Sequence, residues 1–300
     1  MSATSAASGG WAYFKLKLSP GDGLRSVPKD VVVLFDASAS IANDRLRSCR
    51  EAAREALRAC MNTGDRFNLV AFRDDFEYAF RMWRPCDAAA YADADKWMEG
   101  LAAHGRTDVF GSIASVLKLP RDATRPLIAF VITDGDANSG VSATSRIISR
   151  FTALNDGLVS IYMYGVKKTA NRELIDILTH GNRGEGFIYG GDRAQAGSAI
   201  GAMAAEFRDP VVSDLRMIFT AQSRAEAYPV RLKNLYRGQS VEVTGRVPEG
   251  VNEVAFSLKG LNGAKACEGF FKVDLSAAKF DPSLPAAWER ERRADAALSR

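Results

Sequence analysis

Apolar positions follow two rhythms along this chain. Residues 31–35 (Val-Val-Val-Leu-Phe) and 127–132 (Leu-Ile-Ala-Phe-Val-Ile) are short runs that are apolar at every position and bounded by polar residues. That pattern predicts strands buried on both faces of a parallel sheet. Residues 66–72 and 158–165 continue the series, with a short edge strand near 76–83 and another short strand near 186–189. Between these runs the apolar residues recur every three or four positions, as on one face of a helix. Residues 43–61 show it most clearly, with Leu46, Cys49, Ala53, Leu57 and Cys60 in one stripe and arginines elsewhere. Further helices are predicted from a cap at Asp87 to 102, over 109–117 (ended before Pro120), and near 142–154, 171–180 and 193–208. Strands separated by helices of this length predict an α/β fold, a doubly wound and mostly parallel sheet flanked by helices.

After Pro210 the rhythm changes. Residues 211–219, 230–232, 240–246, 253–258 and 269–275 are short and alternating, with turn residues between them. They predict a small antiparallel β domain over 211–280. Residues 11–18 alternate in the same way, so 11–19 is expected to be a strand that joins this domain. The Ser, Ala and Gly-rich residues 1–10 are expected to be a disordered tail, and 284–300, with Trp288 and mixed charge, a docked helix or a tail.

Composition narrows the class. With 47% hydrophobic and 25% charged residues, the chain is an ordinary globular one and not a disordered one. Its net charge of +4 is mild and the two signs are interleaved, which argues against a nucleic-acid-binding stripe. No apolar stretch approaches the roughly 18 residues of a membrane span. The first ten residues have neither a basic start nor an apolar core, so they do not read as a secretory signal. Cys49, Cys60, Cys86 and Cys267 are expected to be reduced; Cys49 and Cys60 share one predicted helix, roughly 16 Å apart by helical rise. A cytoplasmic location is the expectation for the sequence as given, and an extracellular or cell-surface one if it is a fragment of a longer chain.

Candidate chemistry gathers at three strand ends. Asp36-Ala37-Ser38-Ala39-Ser40 follows the first apolar run, Thr133-Asp134-Gly135-Asp136 follows the second, and Thr107 lies in Gly105-Arg106-Thr107-Asp108 ahead of a predicted helix. Open α/β sheets place their ligands outside the carboxyl ends of their strands. Two carboxylates, Asp36 and Asp134, and three hydroxyls, Ser38, Ser40 and Thr107, suit a hard divalent cation there.

Asp-x-Ser-x-Ser, a Thr roughly 65–70 residues beyond the serines and a later Thr-Asp-Gly resemble the metal-ion-dependent adhesion site of von Willebrand factor type A domains. The resemblance runs over residues 29–210, and the subtype looks like the inter-α-trypsin-inhibitor heavy-chain group and its bacterial relatives. It implies a Rossmann-like A domain, inserted in or followed by a β-sandwich to which 11–18 contributes. It also implies Ser38, Ser40 and Thr107 as direct ligands of Mg²⁺ (with Mn²⁺ or Ca²⁺ as alternatives), while Asp36 and Asp134 act largely through water. An ion held mostly by neutral hydroxyls keeps much of its charge, so its remaining position favours a carboxylate. The expected activity is therefore metal-dependent protein binding, in which the cation bridges to an exposed Asp or Glu of a partner protein. Arg106 and Asp136 flank the site and are candidates for contact with that partner. The position between the serines, Gly in many relatives, is Ala39 here, which adds a methyl group and restricts the backbone.

Two other classes stand beside this one. A metal-independent scaffold would bind through the β domain and would keep its partner in chelator. A Mg-dependent hydrolase finds little support, because the sequence has no Gly-x-Ser-x-Gly, no phosphate-binding Gly-rich loop and no His-Glu-x-x-His, and its only histidines are His104 and His180. The partner's identity and the oligomeric state are not written in the sequence.

Overall fold

The computed structural model describes residues 1–39, 43–191 and 195–298. Two strands, β1 (Ser2–Ser8) and β2 (Trp11–Leu18), precede the first fully buried strand, β3 (Asp30–Asp36). Then come α1 (Asn43–Cys60), β4 (Arg66–Phe72), the short β5 (Phe76–Tyr78) and β6 (Arg84–Pro85), α2 (Ala88–Gly100), α3 (Val109–Ser115), β7 (Leu127–Thr133), α4 (Thr144–Asn155), β8 (Val159–Gly165), α5 (Arg172–Gly181), β9 (Gly186–Ile188) and α6 (Ala196–Ala205). The remainder is β10 (Pro210–Phe219), β11 (Glu226–Tyr228), β12 (Leu235–Tyr236), β13 (Val241–Pro248), β14 (Glu253–Asn262), β15 (Lys265–Asp274), β16 (Lys279–Phe280) and α7 (Leu284–Ala297).

Among the described residues, the first sheet has the order β5-β4-β3-β7-β8-β9, with β6 also on β4. Its four inner pairings are parallel, and only β5 and β6 run antiparallel at the edge. Every residue of β3, β7 and β8 is buried. Alternate side chains feed two cores. Val31, Val33, Phe35, Ile128, Phe130 and Ile132 pack towards α1, α2 and α6. Val32, Leu34, Ala129 and Val131 pack towards α3, α4 and α5. This is the double coverage that the uninterrupted apolar runs predict. The chain leaves β3 towards β4 on one side and returns through β7 on the other. The carboxyl ends of β3 and β7 therefore flank a topological switch point, where the departing loops diverge and leave a crevice.

Caps fix several helix starts. The Asp87 carboxylate accepts from the Ala90 N–H, Asp108 from Gly111 and Asn171 from Leu174. Gly184 answers a different need. The segment after α5 runs so close to β8 that a Cβ on Gly184 would collide with the backbone carbonyl of Ile161. Backbone cannot yield as a side chain can. Gly184→Ala is expected to lower stability by about 2–3 kcal/mol in urea unfolding; a loss under about 0.5 kcal/mol would show that this segment shifts freely.

The other strands form two further sheets, β11-β13-β2-β1-β16 and β12-β10-β14-β15. β2 pairs antiparallel with β13 along its whole length. Phe14, Leu16, Val243, Val254 and Phe256 belong to one core that draws on both sheets. Two expectations are corrected here. Residues 2–8, read as part of a disordered tail, form β1, which pairs antiparallel with β2 from Ser2 to Ser8. Residues 230–232, read as a strand, are not one; β11 and β12 lie on either side of them. Val230 is largely exposed while Leu232 is buried, and the Arg231 guanidinium reaches the Thr152 carbonyl and the Asp156 carboxylate. The segment crosses between the sheets and the α/β unit, so no neighbouring strand is available to it.

Residues 284–297 are helical, and α7 is tied down at both ends. The Trp288 ring meets Tyr13 and Tyr228 edge-on, its indole N–H donates to the Glu226 carbonyl, and the Arg246 guanidinium lies 3.9 Å from the ring centres of both Trp11 and Trp288. Further along, Asp295 sits 2.9 Å from His180 Nε2 on α5. Of the helix predicted over 193–208, Arg193 lies outside the described residues and α6 covers Ala196–Ala205.

Candidate functional site

Three loops meet above the ends of β3 and β7, and backbone hydrogen bonds bind them into one surface. The Ala37 N–H donates to the Phe72 carbonyl at the end of β4, and the Ala39 N–H to the Gly105 carbonyl. The His104 N–H donates back to Ala37. Thr107 is held from the far side: its N–H donates to the Asn138 side chain at 2.7 Å, and its carbonyl accepts from the Asn138 and Ser139 N–H groups. The loops bearing Asp36, Thr107 and Asp134 are thus mutually fixed before any ligand arrives.

Asp36, Ser38, Thr107 and Asp134 are brought together here, each no more than 2% exposed. Ser40 lies outside the described residues. Asp36 Oδ1 accepts from the Ser38 N–H at 2.9 Å and Oδ2 from the Thr133 hydroxyl at 3.0 Å. The Thr133 oxygen accepts in turn from the Gly135 N–H. Gly135 has φ +75°, a left-handed conformation that suits glycine, and its missing Cβ leaves room for Asn171. That explains the Gly of Thr-Asp-Gly. Burial pushes the Asp36 carboxyl above its ordinary range; hydrogen bonds from the Ser38 hydroxyl and N–H pull it back, and the negative charge of Asp134 raises it again.

Two features stand out electrostatically. The Thr107 hydroxyl oxygen is buried and, among the described residues, has no hydrogen-bond partner. A buried polar atom left unpaired costs free energy, so it calls for an explanation such as a bound ion. The second feature is Lys167, just past β8. Its ammonium lies 2.9 Å from Asp134 Oδ2 and 2.7 Å from Asp136 Oδ2. Burial alone would lower its pKa, but the hydrogen bonds to Asp136 and Asp134 prevail and raise it. Asp136 is therefore engaged by Lys167, and the Arg106 guanidinium is engaged by the Asn138 carbonyl. Both remain at the rim. Asp108, the cap of α3, is turned to the helix and not to the crevice's centre.

Sequence reading missed Lys167 and Asn138 as parts of this surface, and placed Thr133 in a motif without its hydrogen bond to Asp36. A signal existed for Lys167, since it follows an apolar run at the same edge of the sheet as the motif residues. Among the described residues, no group of three or more His, Cys, Asp or Glu side chains is placed to hold an ion. A cation here would draw on hydroxyl and water oxygens besides the two carboxylates, a donor set that fits hard Mg²⁺. Among the described residues, no helix is long and apolar enough to cross a membrane.

A profile of the von Willebrand factor type A domain matches residues 29–186. The chain is similar to inter-alpha-trypsin inhibitor heavy chain H1 of Bos taurus, at 22% identity over 79% of this chain and 27% of that protein. It is similar also to a von Willebrand factor A domain-containing protein of Dictyostelium discoideum, at 21% identity over 79% of this chain and 28% of that protein. It thus spans little more than a quarter of the length of these curated relatives. Its fold resembles that of a von Willebrand factor type A protein from Catenulispora acidiphila, with a TM-score of 0.72 and 16% identity over 91% of this chain and 70% of that one. It also resembles the ArnB paralog VWA2 from Sulfolobus acidocaldarius, with a TM-score of 0.63 and 15% identity over 98% of this chain and 77% of that one. Residues 29–186 make up more than half of the 300, and on that match the chain belongs to the von Willebrand factor type A domain family.

Proposed function

We propose that this chain is a metal-dependent protein-binding module whose cation, held above β3 and β7, takes an acidic side chain from a partner protein. Domains of this family are in general protein-interaction modules and not enzymes. In this reading Ser38, Ser40 and Thr107 hold a Mg²⁺ ion, with Mn²⁺ or Ca²⁺ as substitutes, and Asp36 and Asp134 orient its waters. The bound ion supplies a Lewis-acidic position for a partner's Asp or Glu. The three stitched loops hold Ser38 and Thr107 in place, so little ordering of these two is needed on binding.

The observation that carries the reading is the Thr107 hydroxyl, buried without a partner among the described residues. Replacing it with the near-isosteric Val tests the reading directly. Thr107→Val removes a hydroxyl that stabilises nothing in the metal-stripped protein, so its melting temperature is expected to hold or rise. Its Mg²⁺ affinity in titration calorimetry is expected to fall at least about tenfold, the worth of one lost oxygen ligand. Unchanged affinity in Thr107→Val, or no heat from Mg²⁺ or Mn²⁺ on the parent protein, would overturn the reading.

A further inference from the structure

We propose that Lys167 is a tethered counter-cation of this site: it neutralises Asp134 until a divalent ion enters, then gives up that carboxylate and moves to the rim beside Asp136. The inference rests on the metal-binding reading above and concerns what sets the ion's affinity.

Asp36 and Asp134 are both buried at the ends of neighbouring strands. Two such carboxylates need a positive charge nearby. Among the described residues, Lys167 alone forms an ion pair with Asp134. The strands supply the geometry: Thr133 of β7 pairs with Gly165 of β8, so the residues just beyond each strand end face one another. The lysine bridges two different environments. The side chain of its Asp134 partner is 3% exposed, that of its Asp136 partner 56%, and its own 30%. One carboxylate is inside the crevice and the other is in solvent.

An ammonium and a divalent ion cannot both sit tightly on Asp134. At contact distances two positive charges repel each other strongly even with partial solvent screening, and a divalent ion doubles the repulsion. The fixed loops cannot separate them, but the four-carbon lysine stem can, because Asp136 offers the ammonium a second, solvated partner. Ion entry therefore exchanges a cation inside the crevice for one on its rim. There the lysine faces the same solvent from which a partner's acidic residue approaches.

The test is Mg²⁺ calorimetry on the whole chain, comparing parent, Lys167→Gln and Lys167→Arg. Lys167→Gln is expected to bind Mg²⁺ at least about tenfold tighter, and Lys167→Arg to remain within about threefold of the parent. Equal affinity in parent and Lys167→Gln would overturn the role of Lys167 and leave metal binding intact; no heat in any of the three would overturn metal binding and this inference with it. Amine acetylation of the parent protein, read by peptide mass spectrometry against the neighbouring Lys168, gives a check that needs no variant. Labelling at Lys167 is expected to rise relative to Lys168 when Mg²⁺ is added, and an unchanged ratio would count against displacement.

Discussion

Asp65→Asn is expected to lower the stability of this chain by about 3–5 kcal/mol, as breaking a buried ion pair does. Lys29 and Asp65 are 0% and 2% exposed, and their side chains form a close ion pair. Asp65 also accepts from the Lys29 N–H at 2.9 Å and the Asn62 N–H at 2.8 Å. The same ammonium donates to the Arg208 carbonyl at 2.7 Å. Lys29 immediately precedes β3, Asp65 immediately precedes β4, and Arg208 lies just ahead of β10. One buried charge pair therefore joins the entrance to the central sheet, its second strand and the exit into the following sheets. Asn keeps the size of Asp but leaves the ammonium buried against a neutral amide. Urea unfolding of Asp65→Asn, Lys29→Met and the double variant checks this, with the double expected to lose less than the sum of the singles. A loss under about 1 kcal/mol in Asp65→Asn would show that water reaches the pair. The pair lies at the amino ends of the strands, away from Asp36 and Asp134, so Mg²⁺ affinity in folded Asp65→Asn is expected to match the parent's.

Much of the fold was legible because the central strands are buried on both faces. A run such as residues 127–132 leaves no other place for its side chains, and the caps at Asp87 and Asn171 mark helix starts by their own chemistry. β1 was not legible. Its residues include one β-branched side chain, Thr4, and no aromatic one, and only Ala6 is buried. It forms because the edge of β2 offers a partner for its backbone groups, a tertiary fact and not a local one. Residues 230–232 failed the other way: a β-branched, alternating triplet lies where no strand neighbours it. At the site, Asp36, Ser38, Thr107 and Asp134 could be read from their motifs, and all four lie buried on the hydrogen-bonded loops above β3 and β7. Lys167 could be placed at the same edge of the sheet from the apolar run before it, but its pairing with Asp134 depends on the register of β7 against β8. Asn138 is invisible for a related reason, since it acts through a loop that folds back on Thr107.

The sharpest separation of function from stability is expected at Asp36→Asn, where ion binding is lost and the metal-stripped protein becomes more stable than the parent. The carboxylate is buried, faces the charge of Asp134, and is held above its ordinary value of 3.8, chiefly by burial. The sign follows from proton linkage. A carboxyl whose folded value is raised binds more protons folded than unfolded within that window, so stability falls as pH rises from the ordinary value to the folded one. Above the window the whole cost of the buried charge is present. Asn carries no charge to bury, keeps an oxygen for the Ser38 N–H, and offers its amide to the Thr133 oxygen. The advantage of Asp36→Asn in thermal unfolding should therefore open as pH rises through that window and stay constant above it. Saturating Mg²⁺ should reverse the order. At about 100 times its dissociation constant the ion would stabilise the parent by about 2.7 kcal/mol and the variant not at all. A parent that stays less stable than Asp36→Asn in saturating Mg²⁺, or a variant already less stable without it, would mean that Asp36 is kept for the architecture of the β3 loop and not for an ion.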